Sequence, residues 1–138
     1  MLTARVKWVE QQQFVGNTPS GHAVAIDADR ERNSAPGPME MLLVALGACT
    51  ATDVVVILGK KRQRLESLEV VVAGERAAEP PAVWTNLEIV YKLRGQLDEK
   101  AVRDAIELSE TKYCSVAAML RKTAQISFRY EILPAKQG

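Results

Sequence analysis

One segment dominates what this 138-residue chain can become. From Met39 to Lys60 there is no proline, and apolar residues fall on nearly every face of a helix: MEMLLVALGACTATDVVVILGK. Pro38 suits the first helical turn, because the N–H it lacks has no acceptor there. Gly59 and the basic run Lys60-Lys61-Arg62 close the far end, where cations sit well against the helix dipole. At about 1.5 Å per residue such a helix runs roughly 33 Å, close to the width of a whole small domain. A helix that is apolar all round is buried rather than laid on a surface. So short a chain cannot easily wrap it alone, and the segment predicts a partner subunit as part of its cover.

The rest reads as strands and shorter helices. Residues 3–9 alternate in part, with Val6 and Trp8 on one face and Arg5 and Lys7 on the other. Phe14 and Val15 lead into the turn cluster Gly16-Asn17-Thr18-Pro19-Ser20-Gly21, after which 22–28 alternate through Val24 and Ile26. That pattern predicts an N-terminal antiparallel meander. A polar loop over 29–37 follows, with Pro36 and Gly37 at its end. Segments 65–76 and 83–94 are β-branched strands joined by 77–82 with its Pro80-Pro81 pair. Asp98 is placed to cap a helix whose apolar stripe is Ala101, Val102, Ala105, Ile106 and Leu108. A second helix is predicted to begin near 111–114 and to carry Val116, Ala117, Met119 and Leu120, and a last strand over 124–133 ends before Pro134. The order βββ-α-ββ-αα-β predicts an α+β fold with mostly antiparallel sheets around a long buried helix, in a single domain over 1–138.

Charge narrows the function classes. The formal net charge is +1 with both signs mixed along the chain, so no basic stripe speaks for nucleic acid. The longest apolar stretch, 41–51, is shorter than the roughly 20 residues of a membrane span. The opening MLTARVKWVEQQ shows neither the apolar run nor the small-residue cleavage site of a signal peptide. The expectation is a cytoplasmic protein with no nucleic-acid or membrane partner.

The two cysteines stand 65 positions apart (114 − 49), with no CxxC pair and one histidine, His22, so neither a metal nor a cofactor is expected. Cys49 sits mid-helix in Gly47-Ala48-Cys49-Thr50-Ala51, where small neighbours leave room beside the sulfur. Either a second chain or small molecule approaches it there, or the notch is plain helix packing. Cys114 follows Glu110-Thr111-Lys112-Tyr113 at the predicted start of a helix, where free N–H groups, the dipole and Lys112 favour a thiolate. The bland alternative is a buried residue anchoring the helix. Asp53, four positions after Cys49, shares its face and either tunes the thiol or is satisfied at an interface. His22 reads as an exposed turn residue, and Glu40 as an acid in a first helical turn.

Three stretches, Ser34-Ala35-Pro36-Gly37-Pro38-Met39-Glu40-Met41-Leu42, Ala45-Leu46-Gly47-Ala48-Cys49 and Lys112-Tyr113-Cys114-Ser115-Val116, resemble the OsmC/Ohr superfamily, closest to its OsmC-like branch. The resemblance covers about residues 2–133 and implies an intertwined homodimer whose two long helices are wrapped by sheets from both chains. It implies that Cys49, as a thiolate, attacks an organic hydroperoxide or hydrogen peroxide, that Cys114 resolves the sulfenic acid to a disulfide, and that a dithiol reduces the disulfide. The family's peroxidases place an activating acid about ten residues before the first cysteine, where this chain has Met39. Glu40 comes one later and lies on the opposite side of a regular helix from Cys49. Arg30 and Arg32 stand in the preceding loop and could reach inward as the activating arginine, but solvated loop side chains are the favoured reading. The replacement by Met39 keeps a second reading open: a non-enzymatic dimer holding a small apolar ligand.

Overall fold

Alternation at the N-terminus becomes a three-stranded antiparallel meander. In the computed structural model, which describes residues 1–136, β1 (Arg5–Glu10) pairs with β2 (Gln13–Asn17), and β2 with β3 (Ala23–Asp27). Together with the first turn of the long helix these strands form one compact unit, Met1–Leu42; a second unit runs on from Leu43. Within the first unit Asp27 is fully buried and organises the loop that follows. Its Oδ2 accepts from Ser34 Oγ at 2.6 Å, Ser34 N at 3.1 Å and Arg32 Nε at 3.2 Å, and its Oδ1 accepts from Asp29 N at 2.9 Å. These donors, the Ser34 hydroxyl foremost, outweigh the cost of burial and hold the carboxyl well below the usual carboxylate range.

The long helix α1 spans Pro38–Lys60 as its composition predicts. Beyond it, β4 (Arg64–Arg76), β5 (Trp84–Gln96) and β6 (Gln125–Leu133) form the sheet of the second unit, with β5 central. Leu46, Val54 and Leu58 of α1 are buried with Leu87, Ile89, Tyr91 and Leu93 of β5. Val102, Ala105 and Ile106 of α2 (Glu99–Leu108) complete that core. Gly47 allows the helix to approach β4 closely, since a Cβ there would meet Val72 Cγ2 at 3.3 Å. Asp98 caps α2 by accepting from Ala101 N at 3.0 Å, as its position predicts.

Three details refine the sequence-based expectation. Pairing is antiparallel for β1–β2, β2–β3 and β4–β5, but β6 runs parallel to β5, because the helical crossover between them returns the chain to the starting edge. The second of the paired helices starts later than 111–114: α2 runs into a π-helical turn, Ser109–Tyr113, and α3 covers only Ser115–Leu120. Third, α1 measured as a helix is 23 residues long and apolar enough to cross a membrane by length and composition. The apolar stretch over 41–51 ends at Thr52-Asp53, whereas the helix continues through them. Its use in this fold is that of a core helix, with Leu46, Gly47, Thr50, Val54 and Leu58 buried in the second unit.

One side of α1 stays open. Val44, Val55 and Val56 are 71%, 49% and 47% exposed. A groove of about 400 Å³ lies beside this side, lined by Leu43, Val44, Ala48 and Ala51 of the helix with Leu68 and Val72 of β4.

Candidate functional site

The crossover from β5 to β6 brings the chain's second cysteine back to the middle of α1. Cys49 is half-buried, Cys114 is 4% exposed, and both are free thiols. Cys49 packs against the core cluster that contains Cys114 and acts on its thiol, so residues 65 apart in sequence are neighbours within one chain. Cys114 is extended (φ −74°, ψ 102°) and caps α3, its Sγ accepting from Ala117 N at 3.4 Å. Burial pushes this thiol up to about 12; the cap bond opposes it, while Cys49 adds to it. Of the two readings the sequence leaves open for Cys114, the buried residue anchoring a helix start is the one this geometry supports: desolvation outweighs a single short turn's N–H groups. Lys112 does not help either, since its Nζ lies over the Tyr113 ring, 5.3 Å from the centroid.

Beside the thiols runs a buried polar chain. Asp53 Oδ2 lies 2.8 Å from Ser109 Oγ, Ser109 Oγ lies 2.7 Å from Thr50 Oγ1, and Thr50 Oγ1 lies 2.6 Å from the Tyr91 hydroxyl. Tyr91 in turn donates to Glu110 Oε1 at 2.6 Å. Glu110, 2% exposed, is held at its other oxygen by Arg121 Nη2 at 2.7 Å, and Arg121 Nη1 also donates to the Glu110 carbonyl at 2.5 Å. Burial first, and then the bond to Glu110, keep the Tyr91 phenol well above its ordinary range, so it stays protonated. Of these residues the sequence singles out only Asp53. Thr50 looks like a small helix residue, Tyr91 like one member of a strand alternation, and Ser109-Glu110 like a polar turn.

The remaining candidates are accounted for by local structure. His22 is exposed and its Nδ1 meets Ser20 Oγ at 3.0 Å in the β2–β3 turn. Of the two loop arginines, Arg30 is exposed as expected, whereas Arg32 is partly buried. Arg30 Nη1 pairs with Glu40 Oε1 at 3.2 Å, and its Nη2 donates to the Asp27 carbonyl. Arg32 pairs with buried Asp27. Glu40 also accepts from Gly37 N at 2.8 Å, and that bond foremost holds its carboxyl below the usual range. These groups brace the loop and the first turn of α1, and Met39 is half-buried among them in sequence. Among the described residues no three His, Cys, Asp or Glu side chains converge to hold a metal ion.

A two-layer α+β unit with a long apolar helix, a cysteine at its middle and a second cysteine capping a late helix defines a class of two-thiol proteins. The OsmC-like protein family model matches residues 31–129, and the chain belongs to that family. Protein YhfA of Escherichia coli strain K12 is 44% identical over 135 residues, which are 97% of this chain and 100% of that protein. The crystal structure of an OsmC-like protein from Mycoplasma pneumoniae shares the fold at TM-score 0.84 and 15% identity, over 96% of this chain and 97% of that one. More distantly, a Legionella pneumophila structure described as an organic hydroperoxide resistance protein, OsmC, aligns at TM-score 0.66 and 13% identity, over 94% of this chain and 95% of that one.

Proposed function

We propose that this protein is a thiol-dependent peroxidase that reduces organic hydroperoxides or hydrogen peroxide in the cytoplasm, with Cys49 as the attacking residue and Cys114 as the resolving one. The observation that carries the reading is that these two cysteines are neighbours in one core cluster. In the first step the Cys49 thiolate attacks the outer peroxide oxygen, the O–O bond breaks, Cys49 becomes a sulfenic acid and the alkoxide leaves with a proton as an alcohol. In the second, the Cys114 sulfur attacks the Cys49 sulfur, forming the disulfide and releasing water. A dithiol reductant then restores both thiols and is itself oxidised to a disulfide. A protonated, buried Cys114 suits the resolving role. It does not compete for peroxide, and it gives up its proton only when a sulfenic acid stands beside it.

Mild treatment with one equivalent of cumene hydroperoxide, followed by non-reducing peptide mapping, is expected to join the peptides that contain Cys49 and Cys114. Recovery of both thiols free after peroxide has been consumed would overturn the assignment.

The open side of α1 supports a homodimer as the working form, the groove beside Val44, Ala48 and Ala51 being covered by a second copy. Light scattering at micromolar concentration is expected to give twice the chain mass. A monomer would leave the exposed valines without cover and sink the proposal. The same apolar groove is what favours the second reading, a non-enzymatic dimer that holds a small apolar ligand. That reading requires peroxide handling to be indifferent to Cys49.

A further inference from the structure

We propose that Thr50, Tyr91 and Ser109 form a proton relay between Asp53, beside the thiol pair, and Glu110, at the Arg121 end, and that this relay holds one proton more than its three hydroxyls carry.

The argument is a proton count. Four oxygen–oxygen contacts link the five groups in a line: Asp53–Ser109 at 2.8 Å, Ser109–Thr50 at 2.7 Å, Thr50–Tyr91 at 2.6 Å and Tyr91–Glu110 at 2.6 Å. All four are O–H···O distances, and each requires one hydrogen between its oxygens. Three hydroxyls supply three hydrogens, and an ionised carboxylate supplies none. With both carboxyls ionised, one buried contact would press two lone pairs together with nothing between them. A fourth proton, on one carboxyl, completes all four bonds. Arg121 decides which end holds it, because the guanidinium against Glu110 Oε2 keeps that carboxyl an acceptor. The resting line therefore reads Asp53 to Ser109 to Thr50 to Tyr91 to Glu110, each group donating to the next.

The line is reversible. A proton withdrawn from Asp53 is replaced at Glu110, where the Arg121 side chain is 39% exposed, and every hydroxyl then turns to donate the other way. Under the peroxidase reading, on which this use rests, such a device supplies what the chemistry lacks. Asp53 protonates the departing alkoxide in the first step. In the second it takes the proton of Cys114 and returns it to the hydroxide that leaves the sulfenic acid. The groups facing the relay are Cys49 from α1, Cys114 from the cap of α3, and Arg121 from the end of α3. Lys60, Lys61 and Tyr113 share a cavity of about 380 Å³ with Asp53. The proton count itself needs no peroxide chemistry.

Infrared spectroscopy of the reduced, full-length protein at neutral pH tests the count. A carbonyl stretch of one protonated carboxyl, sensitive to deuterium exchange, is expected in the wild type and absent in Asp53→Asn. That variant should still unfold within a few degrees of wild type, because the amide N–H supplies the fourth hydrogen. No such band in the wild type, or a band that survives in Asp53→Asn, overturns the proposal. The transfer function is read from the pH profile of Cys49 oxidation. Ser109→Ala is expected to slow oxidation by ~10²-fold, the scale of a lost acid–base group, and Ser109→Thr to restore both rate and profile. Wild-type kinetics in Ser109→Ala remove the relay and leave the peroxidase reading standing. A wild type inert to peroxide removes that reading, while the infrared band still decides the proton count.

Discussion

Replacing Cys49 by serine is expected to reduce peroxide turnover by on the order of 10³-fold or more, the scale on which covalent enzymes lose rate with their nucleophile. A serine hydroxyl does not ionise at neutral pH, and Asp53, the acid beside the thiol pair, is already engaged by Ser109. In barrier terms 10³-fold is about 4 kcal/mol. The fold should be untouched, since the position is half-buried among small residues. Cys114→Ser separates the two roles. Serine caps a helix at least as well as cysteine, so α3 keeps its start and the first equivalent of peroxide is still consumed. Turnover then stops at the sulfenic acid. Stopped-flow peroxide consumption with a trapping reagent for sulfenic acid checks both variants. A Cys49→Ser protein that turns over at the wild-type rate would leave ligand binding as the better account of this fold.

Gly95→Ala is expected to cost about 3 kcal/mol or more, the largest loss of stability from a single added methyl group in this chain. Gly95 lies near the end of β5 with φ +146°, where an L side chain is strained by roughly 1–3 kcal/mol before any contact is considered. The added Cβ would stand 2.2 Å from the Arg64 carbonyl oxygen and 3.1 Å from Glu66 N. Both are backbone atoms of the paired strand, held in register at a bulge between Leu65 and Ser67, and neither moves without opening β4–β5. A fall in thermal midpoint of ~10 °C is the expected reading for a domain of this size. Gly59→Ala provides the opposite sign. It lies in α1 with nothing within 4 Å of the added Cβ, and helix propensity should stabilise it by up to ~1 kcal/mol. Calorimetry that finds the two variants equally stable would sink the argument.

Much of the fold was legible because it is written locally. The prolines and glycines that bound α1, the cap at Asp98 and the alternation of Val24 and Ile26 act over one or two turns of chain. The OsmC-like resemblance also rests on short stretches, and the family match over 31–129 agrees with it. The site was legible only as two residue types. Local sequence leaves the state of Cys114 open, because a helix start favours a thiolate while the burial that opposes it is set by the fold.

By itself, the sequence determined a long apolar helix with a cysteine at its centre, an α+β order of elements, and a second cysteine ahead of the last strand. Tertiary structure decided the direction of β6, the nearness of Cys49 to Cys114, and the line from Asp53 to Glu110. The physical reason is range. Propensity, capping and periodicity act between neighbours, whereas Thr50 meets Tyr91 and Ser109 across 41 and 59 positions. Only closing the core brings such groups together and removes the water that would otherwise answer their hydrogen bonds.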